Sequence, residues 1–156
     1  MVLVPKWNDR LTWRGVTVTR RTRQMLSWVE TKSGQRLEPA QGSYNVGGVS
    51  ASAGTHDREA VDLRVRFYND MQRTKVLNAC KDAGFAAWYR QEVPGLWGPH
   101  IHLVPIEGDL SSGAAAQVAS YDRHRSGLSG DAWDATYRPS PKVKWSWLLR
   151  RPVRRK

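Results

Sequence analysis

The sequence predicts an α+β fold, a small antiparallel sheet with flanking helices, and three observations lead there. A helix-like stretch ending at Gly84 is followed at once by two strand-like stretches joined at Pro94-Gly95, an order that suits antiparallel rather than parallel strands. Further helical stretches lie early and late in the chain. At 156 residues the chain is long enough for one domain with a real core, and too short for a catalytic domain plus a second folded module.

Taken in order, the opening through Arg14 contains proline and tryptophan and reads as an irregular arm. Thr19 to Lys32 carries apolar residues at helical spacing, Met25, Leu26, Trp28 and Val29, with Ser33-Gly34 as a stop. Its opposite face holds Lys, Arg and Gln, which reads as a solvated basic side rather than a DNA-reading helix. Arg36 to Tyr44 leads into Gly47-Gly48, glycines without phosphate-loop spacing that shape a cleft. Ala60 to Arg66 alternates apolar with polar residues, a half-buried strand with Asp62 on its polar face. Asn69 or Asp70 can cap a helix running to about Ala83, in which Cys80 shares a helical spacing with Met71, Val76, Leu77 and Ala83 and reads as a small core residue. Phe85 to Val93 reads as a strand bearing Trp88, and the His100 segment as its partner. An alanine-rich helix from about Ser111 to Arg125 starts at the Ser111-Ser112 cap. Beyond Gly127 the chain is turn-rich, and no internal repeat is apparent.

Charge divides the chain unequally. The net charge is +11, yet Lys142 to Lys156 alone holds seven basic residues and no acidic one. The expected organisation is a single domain over 1–141, with an N-terminal arm and helix over about 1–35, followed by a basic, tryptophan-containing arm over 142–156. Such an arm would attract an anionic wall polymer or membrane surface through screened electrostatics. Trp145 and Trp147 suit that role; equally, Trp147 and Leu148 could dock the arm on the domain. No helix-turn-helix, zinc knuckle or RNA-binding aromatic signature is present, which argues against nucleic acid as partner. The single cysteine excludes an intramolecular disulfide. The N-terminus lacks a signal-peptide pattern, and no stretch approaches transmembrane length.

Three of the four histidines fall in two segments, Gly54-Thr55-His56-Asp57-Arg58-Glu59-Ala60-Val61-Asp62 and Gly98-Pro99-His100-Ile101-His102-Leu103-Val104, each reading as the start of a strand. Catalytic zinc takes imidazole nitrogen and carboxylate oxygen and keeps one tetrahedral position open, so two histidines and an aspartate make a plausible triad. On an extended segment His100 and His102 face one way while Ile101 and Leu103 face the core. One of the pair can bind metal while its neighbour faces a substrate. His124, in Tyr121-Asp122-Arg123-His124-Arg125, reads as part of a solvated helix end.

These segments, with Gly84-Phe85-Ala86-Ala87-Trp88-Tyr89-Arg90 and Trp97-Gly98-Pro99-His100-Ile101-His102, resemble the zinc peptidases of the D-Ala-D-Ala carboxypeptidase and Hedgehog type, which share a metal-site architecture with lysostaphin-like enzymes. The chain looks like a subgroup found among phages of actinobacteria, and the likeness runs from about Ser43 to Pro139. The resemblance implies a zinc-peptidase architecture with His56, Asp62 and His102 as Zn²⁺ ligands and His100 acting on the scissile carbonyl or its transition state. It implies a peptidoglycan peptide as substrate, with virion or tail proteins as partners. The protein would be made in the cytoplasm and reach the wall through helper-mediated release or as part of a phage particle. Two departures stand out. Five residues separate His56 from Asp62 where the carboxypeptidase pattern has six, and Leu96-Trp97-Gly98-Pro99 stands where many members carry a glutamate base. Relatives with an H-x-H can use histidine instead; the nearest carboxylate candidates for the base are Asp57 and Glu59, which could equally be exposed loop charges, with Glu92 more remote. A structural virion or tail protein that keeps the fold without turnover is the competing expectation.

Overall fold

The computed structural model describes residues 6–45, 54–134 and 145–148. Its first element corrects an expectation. Where an irregular arm was read through Arg14, β1 (Arg10–Trp13) and β2 (Val16–Thr19) form an antiparallel hairpin. Arg14 (φ 47°) and Gly15 (φ 85°) both adopt the left-handed conformation that a two-residue hairpin turn requires. The β-branched Val16-Thr17-Val18-Thr19 run then favours the returning strand.

Helix α1 (Arg20–Ser33) follows without a loop, because the Thr19 side chain accepts from Thr22 N at its start. Gly34, at φ 70°, ends it. The helix buries Met25, Leu26 and Val29 as the spacing predicts. Helix α2 (Asp70–Asp82) opens on a full capping box between Asn69 and Gln72. Cys80 is wholly buried, whereas Met71, in the exposed first turn, does not join it. Helix α3 (Ser112–Asp122) is capped by Ser111 and stops three residues short of the expected Arg125, where the chain turns at His124 (φ 62°).

The main sheet has the order β3-β4-β6-β5 and is antiparallel throughout, from β3 (Pro39–Gln41), β4 (Val61–Arg64), β5 (Phe85–Arg90) and β6 (His100–Pro105). β5 ends at Arg90, before the expected Val93, because Val93 N bonds Trp97 O to close a tight loop. The described residues thus make a mixed α+β fold with small antiparallel sheets and, with α4 (Trp145–Leu148), four named helices.

Strand alternation sorts the two faces. Val61, Leu63, Phe85, Ala87, Ile101 and Leu103 join residues of α1 and α2 in the main core. On the other face Ala86, Trp88 and Val104 pack with Ala114 and Val118 of α3 in a smaller core. The register sets Asp62 opposite His102, His102 opposite Trp88, and His100 opposite Arg90 on this second face.

Trp145 belongs to the main core and not to a detached arm: it is 7% exposed and meets Trp7 edge-on, ring centroids 4.8 Å apart. Ser146 donates from both N and Oγ to the Glu107 carboxylate, each bond 2.9 Å. Gly47-Gly48, residues 135–144 and the basic 149–156 stretch lie outside the described residues. Among the described residues no helix is long and apolar enough to cross a membrane.

Candidate metal centre

Two neighbouring strands and one turn supply the cluster. β4 presents Asp62, β6 presents His100 and His102, and His56 comes from a helical turn over 54–56 rather than from the start of a strand. That turn is held by backbone bonds from Asn45 N to His56 O and from Tyr44 N to Arg58 O, at 2.6 and 2.7 Å. Ligand-capable atoms of His56, Asp62 and His102 all lie within 4.8 Å of one another, and all three residues are buried.

Hydrogen bonds at the far ring nitrogens decide what the near ones can do. His56 Nδ1 lies 3.0 Å from Gly42 O, and a carbonyl can only accept, so Nδ1 carries the hydrogen. In the neutral ring Nε2 is then a lone pair, 3.3 Å from Asp62 Oδ1. It is buried, and as a lone pair it makes no hydrogen bond to that oxygen, which can only accept; only the charged ring could donate there. On the other side His102 Nε2 is 2.8 Å from Gln117 Oε1, and Gln117 Nε2 faces the Gly127 carbonyl at 3.5 Å. His102 Nδ1 lies 2.7 Å from Asp62 Oδ1, so an acceptor faces each of its ring nitrogens, and a hydrogen kept on Nε2 by Gln117 leaves Nδ1 with a lone pair for a cation. Two nitrogen lone pairs and a carboxylate oxygen converging in a buried space repel unless a cation lies among them, either a proton on a ring or a metal ion. A divalent ion satisfies the set with its preferred donors, so the group could hold a metal.

The electrostatics agree. Burial would raise the Asp62 carboxyl, but the hydrogen bonds and charges of His102 and His56 outweigh it and hold the carboxyl well below the usual range. For His56, burial opposes the charged ring, yet the Asp62 carboxylate and the Gly42 and Ala60 carbonyls together raise its pKa. For His102 burial prevails over Asp62, with His56 and Arg90 adding to it, and the pKa is lowered. Arg90 is also buried beside the cluster, and burial lowers its guanidinium to about 10 against the attraction of Asp134 and Asp62.

The cluster lines a cavity of about 90 Å³ with His100, Trp97 and Leu96 among its walls. His100 Nδ1 bonds Gly98 O at 2.8 Å, which leaves Nε2 near the cluster, 3.7 Å from Asp62 Oδ2. Trp97 meets the His100 ring edge-on, while Trp88 lies nearly parallel to His102 with centroids 5.9 Å apart.

The structure brings His56, Asp62, His100 and His102 together and leaves the acidic candidates outside. Glu59 is fully buried, accepting from Thr19 Oγ1 at 2.5 Å, from Arg21 Nη1 at 3.0 Å and from Asp109 N. Those bonds tie the hairpin, α1 and the 109 loop together, so Glu59 is a structural carboxylate and not a base at this site. Asp57 and Glu92 do not line the cavity either; among the described residues Asp62 is its one acidic wall residue.

Gln117, Arg90, Gln41 and Thr55 also line the cavity and were not read from the sequence as site residues. For Gln117 a signal existed. Ala114, Gln117, Val118 and Tyr121 fall at i, i+3, i+4 and i+7, so an amide sits in an otherwise apolar helix stripe. Comparison with known proteins finds no matching family model, no matching curated protein and no matching solved structure.

Proposed function

We propose that the chain is a zinc-dependent peptidase of the D-Ala-D-Ala carboxypeptidase and Hedgehog type, cleaving an amide bond in peptidoglycan peptides. The observation that carries this reading is the convergence of His56 Nε2, Asp62 Oδ1 and His102 Nδ1 on one buried point beside a cavity. Two imidazoles and one carboxylate are the ligand set of a catalytic zinc site that keeps one position open. Zinc, when bound, supplies a Lewis acid and makes hydroxide available near neutral pH.

The chain's own residues do the rest. His100, anchored through Nδ1 to Gly98 O, turns Nε2 to the cavity, where the neutral ring takes a proton and the charged ring donates to a developing oxyanion. Trp97 and Trp88 flank the two histidines and keep their rings in place. Exposed apolar side chains gather at the mouth: Leu96 and Leu128 line the metal cavity, and Val93, Leu128 and Trp133 line a second cavity of about 250 Å³. The two cavities share Arg90, Trp97 and Leu128, which suits an extended substrate rather than a small one.

Metal analysis and wall digestion test this reading. Purified protein should bind one zinc ion, and His56→Ala, Asp62→Ala and His102→Ala should each remove it, while His100→Ala keeps the metal and loses turnover. Isolated peptidoglycan should yield new amino groups or free D-alanine without new reducing ends. Reducing ends in place of amino groups would point to glycosidic cleavage and end the peptidase reading.

One observation favours a second reading, a non-catalytic virion or tail protein that retains the fold. Among the described residues no carboxylate other than Asp62 reaches the cavity to act as a base. Zinc binding with no amide cleavage of any wall peptide would select that reading.

A further inference from the structure

A polar side chain in an apolar helix stripe is costly unless both of its ends are bonded. Gln117 is bonded at both. Its Oε1 faces His102 Nε2 at 2.8 Å, and its Nε2 donates to Gly127 O at 3.5 Å. The Gly127 carbonyl can only accept, which turns the amide so that its oxygen, and not its nitrogen, meets His102.

Gln117 is one of three side chains that reach the same short stretch. Trp88 Nε1 donates to Arg125 O at 2.9 Å and Arg90 Nη1 donates to Ser126 O at 2.5 Å. Three successive carbonyls, of Arg125, Ser126 and Gly127, are therefore held by three residues that surround His102. Gly127 lies close against two of them: an added Cβ would stand 3.4 Å from both Gln117 Cγ and Trp88 Cζ2.

We propose that Gln117 is the positioning residue of the metal centre: its Oε1 holds the hydrogen of His102 on Nε2, so that Nδ1 is the atom offered to the metal, and the Arg125–Gly127 strap keeps that amide in place. The proposal rests on the metal reading above and adds to it the group that selects the ligating nitrogen. An outer hydrogen bond of this kind fixes ring tautomer and orientation and raises ligand basicity. It needs an acceptor at position 117, and Oε1 is the only acceptor a glutamine side chain has.

Chelator-competition titration of the full chain with Zn²⁺ alone tests it. Gln117→Ala should bind zinc about 10- to 100-fold more weakly, the range found when such outer partners are removed. Gln117→Glu, whose carboxylate accepts the same bond from His102 but cannot donate to Gly127 O, should bind zinc more tightly than Gln117→Ala. Nitrogen-15 NMR of the zinc-loaded, unmodified chain gives a readout that does not depend on the alanine variant folding: His102 should carry its hydrogen on Nε2 and show a metal-shifted Nδ1. Undiminished zinc affinity in folded Gln117→Ala, or a zinc-loaded His102 protonated on Nδ1, would overturn the role of Gln117 while leaving the metal centre standing. An unmodified chain that binds no zinc would overturn the centre itself and this proposal with it.

Discussion

Gly42 has no side chain, and that reaches as far as the candidate metal site. A Cβ there would lie 2.7 Å from Val16 Cβ and 2.8 Å from Thr17 O, so only glycine lets this segment pass so close to the hairpin while its carbonyl meets His56 Nδ1. Gly42→Ala should therefore lower stability by about 1–3 kcal/mol through overpacking, and weaken zinc binding because the carbonyl that orients His56 must move. Denaturant unfolding of the metal-free protein and zinc titration check the two effects separately. A second expectation at this scale concerns pH. Zinc competes with protons for neutral imidazole, so affinity falls as pH falls. The raised pKa of His56 starts that loss above pH 6.5, the lowered pKa of His102 extends it below, and Asp62, held under the usual carboxylate range, stays charged throughout. Zinc titrations between pH 5 and 8 should show a gradual two-proton loss, and a flat profile would contradict the ligand set. The clustering of three histidines and one aspartate, His56, His100, His102 and Asp62, was legible because ligand chemistry restricts the residue types. Glu59 misled because sequence proximity to His56 says nothing about which way a turn directs a carboxylate, and this one is drawn to Thr19 and Arg21 from distant segments.

Among the elements, α4 has the sharpest energetic role for its size. Trp145 fills the main core against Trp7, and its backbone lies so close to Gly84 that a Cβ on that residue would come within 2.7 Å of Trp145 N. Trp145→Ala should cost about 3–5 kcal/mol, the range for emptying a large aromatic site, and thermal unfolding would register it. Gly84→Ala adds strain at φ 100° to the same clash and should destabilise as well. Helix starts were legible where a side chain caps the backbone, as at Asn69 and Ser111. The hairpin was not, because its turn is Arg14-Gly15 rather than the stronger Asn-Gly or Asp-Gly signal, and the prolines and tryptophans around it suggest irregular chain. In sequence Trp145 belongs to a cationic, tryptophan-rich segment that suits an anionic boundary; the core contact that claims it comes from Trp7 and Gly84, far away along the chain.

For the molecule as a whole, the net charge of +11 and the placement of α4 separate two properties that the 142–156 segment combines. Truncation after Leu148 removes five basic residues but keeps Trp145. It should leave the melting temperature nearly unchanged while weakening attachment to anionic vesicles or walls at low salt, an attraction screened over about 8 Å at physiological ionic strength. Truncation after Ser140 should lower the melting temperature too, and equal melting temperatures for both truncations would show that Trp145 carries no stability. The α+β class was legible from element order alone, whereas the two-sided division of the sheet needed the observed pairing. That pairing has a further consequence. Asp62 stands opposite His102 while Val61 stands opposite Leu103 and Leu63 opposite Ile101, so slipping β6 by one residue would turn the apolar side chains out and the imidazoles in. Burial and ligation are thus the same decision, made once when the strands align. A metal ion present during refolding would act as a proofreader, favouring the one alignment that the core already prefers. A lineage of such chains could lose its chemistry by exchanging a side chain, but not by sliding a strand, since the slide would dissolve the fold first.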